Sequence, residues 1–169
     1  DQKNVTTRYV YNDLYQLIQR DYPTDADDNY TYDKAGRLLT AEKAGWMTSF
    51  AYDAANRILQ TVQNNQTVSY SYIVSYSNNV FSRTNTVQYP NNKVITEKTD
   101  IRDFYTHIQD TTMPGNSVTL AQYSYDPGNW LLARTYANEI TCSYTYNDND
   151  WITQQVYRNP ANIVLAGIG

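Results

Sequence analysis

The sequence lacks the residues from which most catalytic and metal sites are built. In 169 residues it has one cysteine, Cys142, and one histidine, His107. A single thiol forms no internal disulfide, and a zinc site needs three or four Cys, His or carboxylate ligands at a recognisable spacing. A Gly-x-Ser-x-Gly nucleophile motif and a glycine-rich phosphate loop are both missing. We therefore predict no catalytic residue, no cofactor and no metal site, and we interpret His107 as structural.

Charge and long apolar runs are also scarce. Charged residues make up 18% of the sequence, the net charge is −4, and Lys and Arg form no cluster. Nucleic-acid binding normally requires a basic surface that displaces counterions, so we expect no nucleic-acid partner. No run reaches eighteen apolar residues, so we also predict no membrane span.

Tyrosine is abundant although the other aromatic residues are rare. The chain has 18 Tyr but only 3 Phe and 3 Trp, and Thr and Asn are frequent. Tyrosine and threonine favour strands, where a half-buried pleated surface suits their side chains. No segment of twelve or more residues shows a helical period. The composition predicts an all-β protein.

The tyrosines belong to an internal repeat. The segments "YTYDKAGRLL" (30–39), "FAYDAANRIL" (50–59), "YSYDPGNWLL" (123–132) and "YTYNDNDWIT" (144–153) share one pattern. The second aromatic residue recurs at Tyr11, Tyr32, Tyr52, Tyr72, Tyr125 and Tyr146, with spacings of 21, 20, 20, 53 and 21. The long gap fits two longer copies, one of them degenerate with its marker near residues 99 and 100. We predict a single domain over residues 1–169 with about seven hairpin units, irregular in 73–120.

The pattern predicts a β-hairpin for each repeat. Residues two apart share a face of a strand, and the Asp that follows them can accept backbone N–H bonds in a turn. A Gly or Asn three residues after that Asp tolerates positive φ, whereas Tyr15 departs from this pattern in the first copy. The predicted structural residues are Tyr30, Tyr32, Asp33, Gly36, Arg37, Tyr52, Asp53, Asn56, Arg57, Tyr123, Tyr125, Asp126, Asn129, Trp130, Tyr144, Tyr146 and Trp151. We predict that the hairpins form one twisted, curled antiparallel sheet.

The pattern Tyr-x-Tyr-Asp-x-x-Gly/Asn-Arg-Leu/Ile-Leu resembles the YD repeat of the Rhs family. Related repeats occur in the C subunits of insecticidal toxin complexes and in teneurins. The segment "VQYPNNKVIT" is similar to the family's Tyr-Pro-Asn-Gly turn, with Asn92 in place of Gly. The resemblance implies a segment of a YD-repeat β-shell, a spiralling sheet that encloses a toxin domain or closes into a cocoon. No part of the sequence matches the family's self-cleaving segment.

Two functions follow as hypotheses. The first is a non-enzymatic structural segment of such a shell, in a large secreted or cell-surface protein of bacterial origin, with an enclosed toxin domain as a candidate partner. The alternative is a carbohydrate-binding or adhesion module that uses a tyrosine-rich face, with Tyr70, Tyr72, Tyr144 and Tyr146 turned towards the glycan. The structural interpretation of the tyrosines, in which they form cross-strand ladders, fits the hairpin period better.

The two ends of the sequence carry a further expectation. The segments "TTRYVYND" and "NIVLAGIG" both read as strands without polar caps. Uncapped repeats leave an open sheet edge, and such an edge recruits other strands. We therefore expect a fragment of a larger protein, whose edges pair with flanking repeats or with other copies of the chain.

Overall fold

The computed structural model describes residues 6–169, and this part of the chain consists of fifteen strands joined by turns. The described chain divides into two compact parts, one that ends at Tyr70 and one that begins at Ser71. The strands follow one another in the sheet in chain order, and the pairs resolved residue by residue are antiparallel. The prediction of an all-β fold built from antiparallel hairpins is therefore confirmed. No helix in residues 6–169 is long and apolar enough to cross a membrane.

The first part contains short strands in a regular succession. They are β1 (Arg8–Tyr11), β2 (Leu17–Asp21), β3 (Asp28–Tyr32), β4 (Leu38–Lys43), β5 (Trp46–Tyr52), β6 (Ile58–Gln63) and the beginning of β7 (Gln66–Ser77).

The second part contains the end of β7 and eight further strands. They are β8 (Val80–Gln88), β9 (Val94–Thr99), β10 (Tyr105–Asp110), β11 (Val118–Tyr125), β12 (Leu131–Tyr136), β13 (Thr141–Tyr146), β14 (Ile152–Arg158) and β15 (Val164–Ile168). Residues 73–120, where the sequence pattern fades, are also built of strands. Strands β7 and β8 are the longest, with 12 and 9 residues.

Tight two-residue turns close several hairpins. Ala44 and Gly45 join β4 to β5 with φ values of 53° and 81°, and Asn64 and Asn65 join β6 to β7 with 48° and 65°. Two consecutive positive φ values are typical of the hairpin turn whose twist matches the right-handed twist of the strands. Asparagine and glycine tolerate this conformation, so these residues determine where the hairpins end.

Few residues are buried in the described part of the chain. They are Thr96, Thr99, Ala121, Cys142 and Val156, all in the second part. In residues 6–70 the strands are half-buried at most. Stability must therefore come largely from contacts between neighbouring strands, as in repeat proteins where each unit covers the next.

Hydroxyl pairs line the face of the sheet opposite the tyrosines. Thr31 lies between Tyr30 and Tyr32 and so points to the other face, where its hydroxyl lies 2.6 Å from that of Thr40. Thr145 makes the same kind of contact with Thr153, at 2.9 Å. Cross-strand threonine pairs of this kind each contribute a fraction of a kcal/mol, up to about 1 kcal/mol.

Candidate functional site: the repeat turn and its contact with the next repeat

One turn geometry recurs through the described chain. In the second repeat the N–H of Asp33 donates to the carbonyl of Arg37 at 2.9 Å, and the N–H of Gly36 donates to the carbonyl of Asp33 at 3.0 Å. The same pair of backbone hydrogen bonds closes turns that begin at Asn12, Asp33, Asp53, Tyr89, Asp100, Asp126, Tyr136, Asn147 and Asn159. The strand register shifts beside many of them, for example at Thr31 and Tyr32, where the extra residue lies in β4 after the turn. This is the geometry of a three-residue hairpin loop with a bulge.

The first side chain of the turn stabilises it from inside. The Asp33 Oδ1 accepts the N–H groups of Ala35 and Arg37, both at 2.9 Å. Its Oδ2 accepts the Arg37 Nε–H at 2.7 Å, and Asp53 makes the matching bonds with Arg57. The bond from the backbone N–H of Arg37, followed by those from its side chain and from Ala35, lowers the pKa of Asp33. The aspartate therefore acts as a turn-forming carboxylate whose charged form is favoured by the fold.

The fourth residue of the turn has positive φ throughout. The values are 83° at Gly36, 64° at Asn56, 76° at Asn129 and 65° at Asp150. Tyr15 adopts the same conformation in the first turn, with φ of 59°. Its side chain is 90% exposed, and the Asn12 amide oxygen accepts two backbone N–H bonds beneath it. The rest of that turn thus compensates for a residue that tolerates positive φ poorly.

The second tyrosine of three repeats reaches back to the preceding repeat. The Tyr32 hydroxyl donates to the Leu17 carbonyl at 2.8 Å, and the Tyr52 hydroxyl donates to the Leu38 carbonyl at 2.9 Å. The hydroxyl of Tyr146 donates to the Leu131 carbonyl at 3.0 Å. All three tyrosines are half-buried. In each case the acceptor is the first residue of the return strand, so the bond links one hairpin to the next.

A flat side chain packs beneath two of these tyrosines, Tyr52 and Tyr146. We call the fifth residue of the turn, which precedes the return strand, the flat position. The guanidinium carbon of Arg37 lies 4.7 Å from the centre of the Tyr52 ring. Trp130 and Tyr146 have their ring centres 5.1 Å apart. Cation–π and tilted aromatic contacts at these distances are favourable.

The flat position of the turn that begins at Asp100 is Phe104, which was absent from the predicted residues. Its ring centre lies 4.9 Å from that of Tyr125. The signal that identifies it is its place four residues after Asp100, in the degenerate copy. Arg102 of the same turn lies over both rings, at 5.0 Å from Phe104 and 5.8 Å from Tyr125.

Arginine also connects one turn to the next. The Arg37 Nη1 donates to the Asp53 carbonyl at 2.9 Å and to the Asn56 side-chain oxygen at 3.0 Å. The Arg102 Nη1 donates to the Asn129 side-chain oxygen at 2.7 Å. Asparagine at the fourth position therefore both tolerates positive φ and accepts a bond from the preceding repeat, which glycine cannot do.

The remaining predicted repeat residues have individual surroundings. Tyr123 lies near Tyr105, with ring centres 6.4 Å apart. Arg57 forms an ion pair with Asp53 at 2.7 Å. Trp151 occupies the flat position of the turn that begins at Asn147, and it is 74% exposed.

The candidate glycan-facing tyrosines are half-buried: Tyr70, Tyr72, Tyr144 and Tyr146. Burial raises the pKa of Tyr144, and the Arg134 guanidinium carbon lies 5.9 Å from the centre of its ring. Tyr146 packs on Trp130 as described above. Since rings engaged in this way offer little free face for a sugar, these contacts favour the ladder interpretation, and glycan binding stays a prediction.

His107 lies within the sheet, in strand β10. Its register partners are Lys98 in β9 and Gln122 in β11. Burial, followed by the nearby charge of Lys98, lowers its pKa. Asp103 is paired with Arg83, and the Asp110 carboxylate accepts bonds from Thr112. Residues 6–169 contain no group of three His, Cys, Asp or Glu side chains that could hold a metal ion.

The chain is similar to one known family over a short segment and to solved structures over most of its length. Residues 32–68 match the family model of the RHS Repeat. The fold is similar to a crystal structure of TcdB2-TccC3 without its hypervariable C-terminal region, with a TM-score of 0.52, 11% identity and 95% of this chain covered. Matches to TcdB2-TccC3 and to TcdB2-TccC3-Cdc42 have TM-scores of 0.43 and 0.42, identities of 10% and 11%, and cover 98% and 97% of this chain.

At these identities the likeness concerns the fold alone. The chain spans about a tenth of the length of these structures, at 10% of the first and 12% of the other two. No curated protein matches the sequence.

Proposed function

On the premise that this chain carries an RHS repeat, we propose that it is a non-enzymatic wall segment of a larger RHS-type shell. The longer protein would be a secreted or cell-surface protein of bacterial origin, with a toxin domain as its enclosed partner. The similarity to a TcdB2-TccC3 structure over 95% of this chain supports the architecture. The enclosed domain is part of the proposal, because this chain spans 10% of that structure.

The observation that carries the proposal is the contact between successive turns. A wall must transmit stability from one hairpin to the next without a separate core, since few side chains in the described residues are fully buried. The tyrosine hydroxyl bond and the stacked flat side chain do this together at two junctions, between Arg37 and Tyr52 and between Trp130 and Tyr146. The tyrosine hydroxyls and the flat side chains are already engaged in these contacts, so we assign none of them a role as a nucleophile or a general base.

Limited proteolysis tests the wall function. In the full-length protein that contains this segment, the variant Arg37→Ala together with Trp130→Ala removes two flat side chains that pack on the next tyrosine. We expect the enclosed domain to become sensitive to protease in this variant. The control is Lys34→Ala, because Lys34 lies in a turn and is exposed. Unchanged protection in the double variant would contradict the wall function.

Activity and binding assays test the non-enzymatic part. Assays with generic ester, peptide and glycoside substrates should show no turnover, and robust turnover that His107→Ala abolishes would refute the proposal. A glycan array should show no binding above background. Specific binding that Tyr144→Ala abolishes, with the fold retained, would favour the carbohydrate-binding alternative instead.

A further inference from the structure

The loop between β10 and β11 departs from the geometry of the repeat turns. It covers residues 111–117 and is longer than the turns described above. At its centre the Asn116 N–H donates to the Met113 carbonyl at 3.0 Å, and Gly115 has φ of 79°. This hydrogen bond and this φ belong to a type II turn, which favours Pro114 and Gly115 at its two central positions. Loops that depart from a regular scaffold often carry binding residues.

Hydrogen bonds hold the beginning of this loop against β9. The Thr111 N–H donates to the Val94 carbonyl at 2.9 Å, and the Val94 N–H donates to the Thr112 hydroxyl oxygen at 3.0 Å. The Thr112 hydroxyl in turn donates to the Asp110 Oδ1 at 2.5 Å, and the same oxygen accepts the Thr112 N–H at 3.0 Å. These two bonds, followed by the charge of Lys93, lower the pKa of Asp110. The loop therefore fixes one carboxylate oxygen and favours the charged form of the side chain.

A groove lies between this loop and the turn that joins β8 to β9. Its volume is about 370 Å³, which is in the range of small-molecule sites. The groove is lined by Asn91, Lys93, Asp110, Thr112, Met113, Asn116 and Val118. Lys93 and Asp110 bring opposite charges to it. Met113 and Val118 add apolar surface, since they are 67% and 51% exposed. The groove thus combines a cation, an anion and an apolar surface.

The two charges of the groove are only loosely paired. The Lys93 Nζ lies 3.8 Å from the Asp110 Oδ2, and the two side chains are 50% and 28% exposed. This distance exceeds that of a hydrogen bond, and an exposed pair of this kind contributes little to stability. Among the described residues neither atom has a closer polar partner. Both groups can therefore turn to a ligand with little loss.

We propose that this groove binds a free α-amino acid with an apolar side chain. The Asp110 Oδ2 accepts a hydrogen bond from the ammonium group, and the Lys93 Nζ donates to the carboxylate. Met113 and Val118 contact the apolar side chain. The ammonium and carboxylate groups of an α-amino acid are attached to the same carbon, which suits a cation and an anion 3.8 Å apart. A neutral ligand such as a monosaccharide would match neither charge. The contacts between repeats do not use this groove, so the proposal goes beyond the wall function and is tested separately from it.

The methionine methyl groups test the site without any substitution. The chain has two methionines. Met113 lies in the groove, whereas Met47 lies in another groove of about 370 Å³, whose lining in the described chain includes no charged residue. In protein isotope-labelled at these methyl groups, L-leucine should shift the NMR signal of Met113 saturably in the millimolar range and leave that of Met47 unchanged. The variant Met113→Leu assigns the two signals.

Two analogues of leucine test the charges of the ligand. N-acetyl-L-leucine lacks the ammonium group, and L-leucinamide lacks the carboxylate. Each should bind about tenfold more weakly than leucine, because a hydrogen bond to a charged group is lost in a partly exposed site. Equal affinity for the three compounds, equal shifts of Met113 and Met47, or the absence of a saturable shift would each overturn the proposal.

Two variants assign the charges of the protein. Lys93→Met removes the ammonium group and should bind leucine and leucinamide equally. Asp110→Asn keeps an oxygen that can accept the Thr112 bonds, and it should bind leucine and N-acetyl-leucine equally. The control is Lys98→Met, which should bind leucine like the parent because Lys98 lies in β9 outside the groove. If Asp110→Asn fails to fold, Lys93→Met and the analogues still decide. A variant of Lys93 that still prefers leucine tenfold over leucinamide would contradict the assignment.

Discussion

Removing the hydroxyl of Tyr146 isolates one bond of the junction between repeats. The variant Tyr146→Phe keeps the ring, and therefore the packing on Trp130 at 5.1 Å. It loses only the 3.0 Å hydrogen bond to the Leu131 carbonyl. Tyr11→Phe is the matched control, because Tyr11 holds the same place in its repeat, is 55% exposed, and has no hydroxyl partner among residues 6–169.

The expected loss follows from the net value of a hydrogen bond in a half-buried position. An intramolecular hydrogen bond contributes about 0.5–1.5 kcal/mol to the free energy of unfolding. For a chain of this size 1 kcal/mol corresponds to roughly 2–4 °C in the unfolding midpoint, so Tyr146→Phe should lower it by about 1–6 °C. The control should stay within about 0.5 kcal/mol of the parent, as exposed substitutions usually do.

Equilibrium unfolding in urea, followed by fluorescence and by circular dichroism, measures both variants. Tyr32→Phe and Tyr52→Phe should behave like Tyr146→Phe, since their hydroxyls bond to Leu17 and Leu38 in the same way. If Tyr146→Phe and Tyr11→Phe destabilise the chain equally, the hydroxyl bond does not link the repeats and the reasoning fails.

Three further predictions concern the turns and the buried thiol. Gly36→Ala should lower the free energy of unfolding by about 1–2 kcal/mol, because φ is +83° at this position. Gly115→Ala should lower it by nearly as much, since φ is +79° there although the space around the residue is open. Urea unfolding measures both variants, and an unchanged free energy of unfolding for Gly36→Ala would contradict this reasoning. The fold lowers the pKa of Asp33 and Asp53, so their stabilising contribution is complete above the unfolded pKa of about 3.9 and is lost as the pH falls below it. Asp33→Asn should therefore weaken the fall in the free energy of unfolding at acid pH. An unchanged fall in this variant would refute the role of Asp33 as a turn-forming carboxylate. Cys142 has no exposed surface, so a thiol reagent should label it only after unfolding, and rapid labelling of the native chain would show that the strands around it open.

The repeat turns that begin with Asp or Asn can be located in the sequence because the side chain itself makes part of the turn. Other turns of the same geometry cannot be found in this way. The turn at Tyr136 is closed by the N–H of Tyr136 to the Ile140 carbonyl and by the N–H of Glu139 to the Tyr136 carbonyl. Glu139 has φ of 63° there, although glutamate is a poor candidate for positive φ. The backbone bonds are sufficient for the turn, so the residue pattern recovers only some of its occurrences.

The partners across a junction are harder to predict than the turns. Trp130 and Trp151 have the same place in the repeat, yet their exposure differs twofold. Trp130 packs on Tyr146 of the facing strand, a contact that depends on strand register and is not encoded near Trp130. The pairing of Phe104 with Tyr125 was missed for the same reason, because 21 residues separate them and the contact depends on the register between β10 and β11.

The equal surroundings of Asp33 and Asp53 have a consequence for how such a chain can change in evolution. Both carboxylates accept bonds from the second and fourth residues that follow them, and both come directly after a tyrosine. Loss of residues 33–52 by recombination would join Tyr32 to Asp53 and recreate a junction of the same form. A gene of this kind can therefore gain or lose one whole hairpin in a single event without altering the sequence at any remaining junction. Length variation in whole repeats is thus far less disruptive than the loss of a few residues, which would shift every tyrosine away from its acceptor.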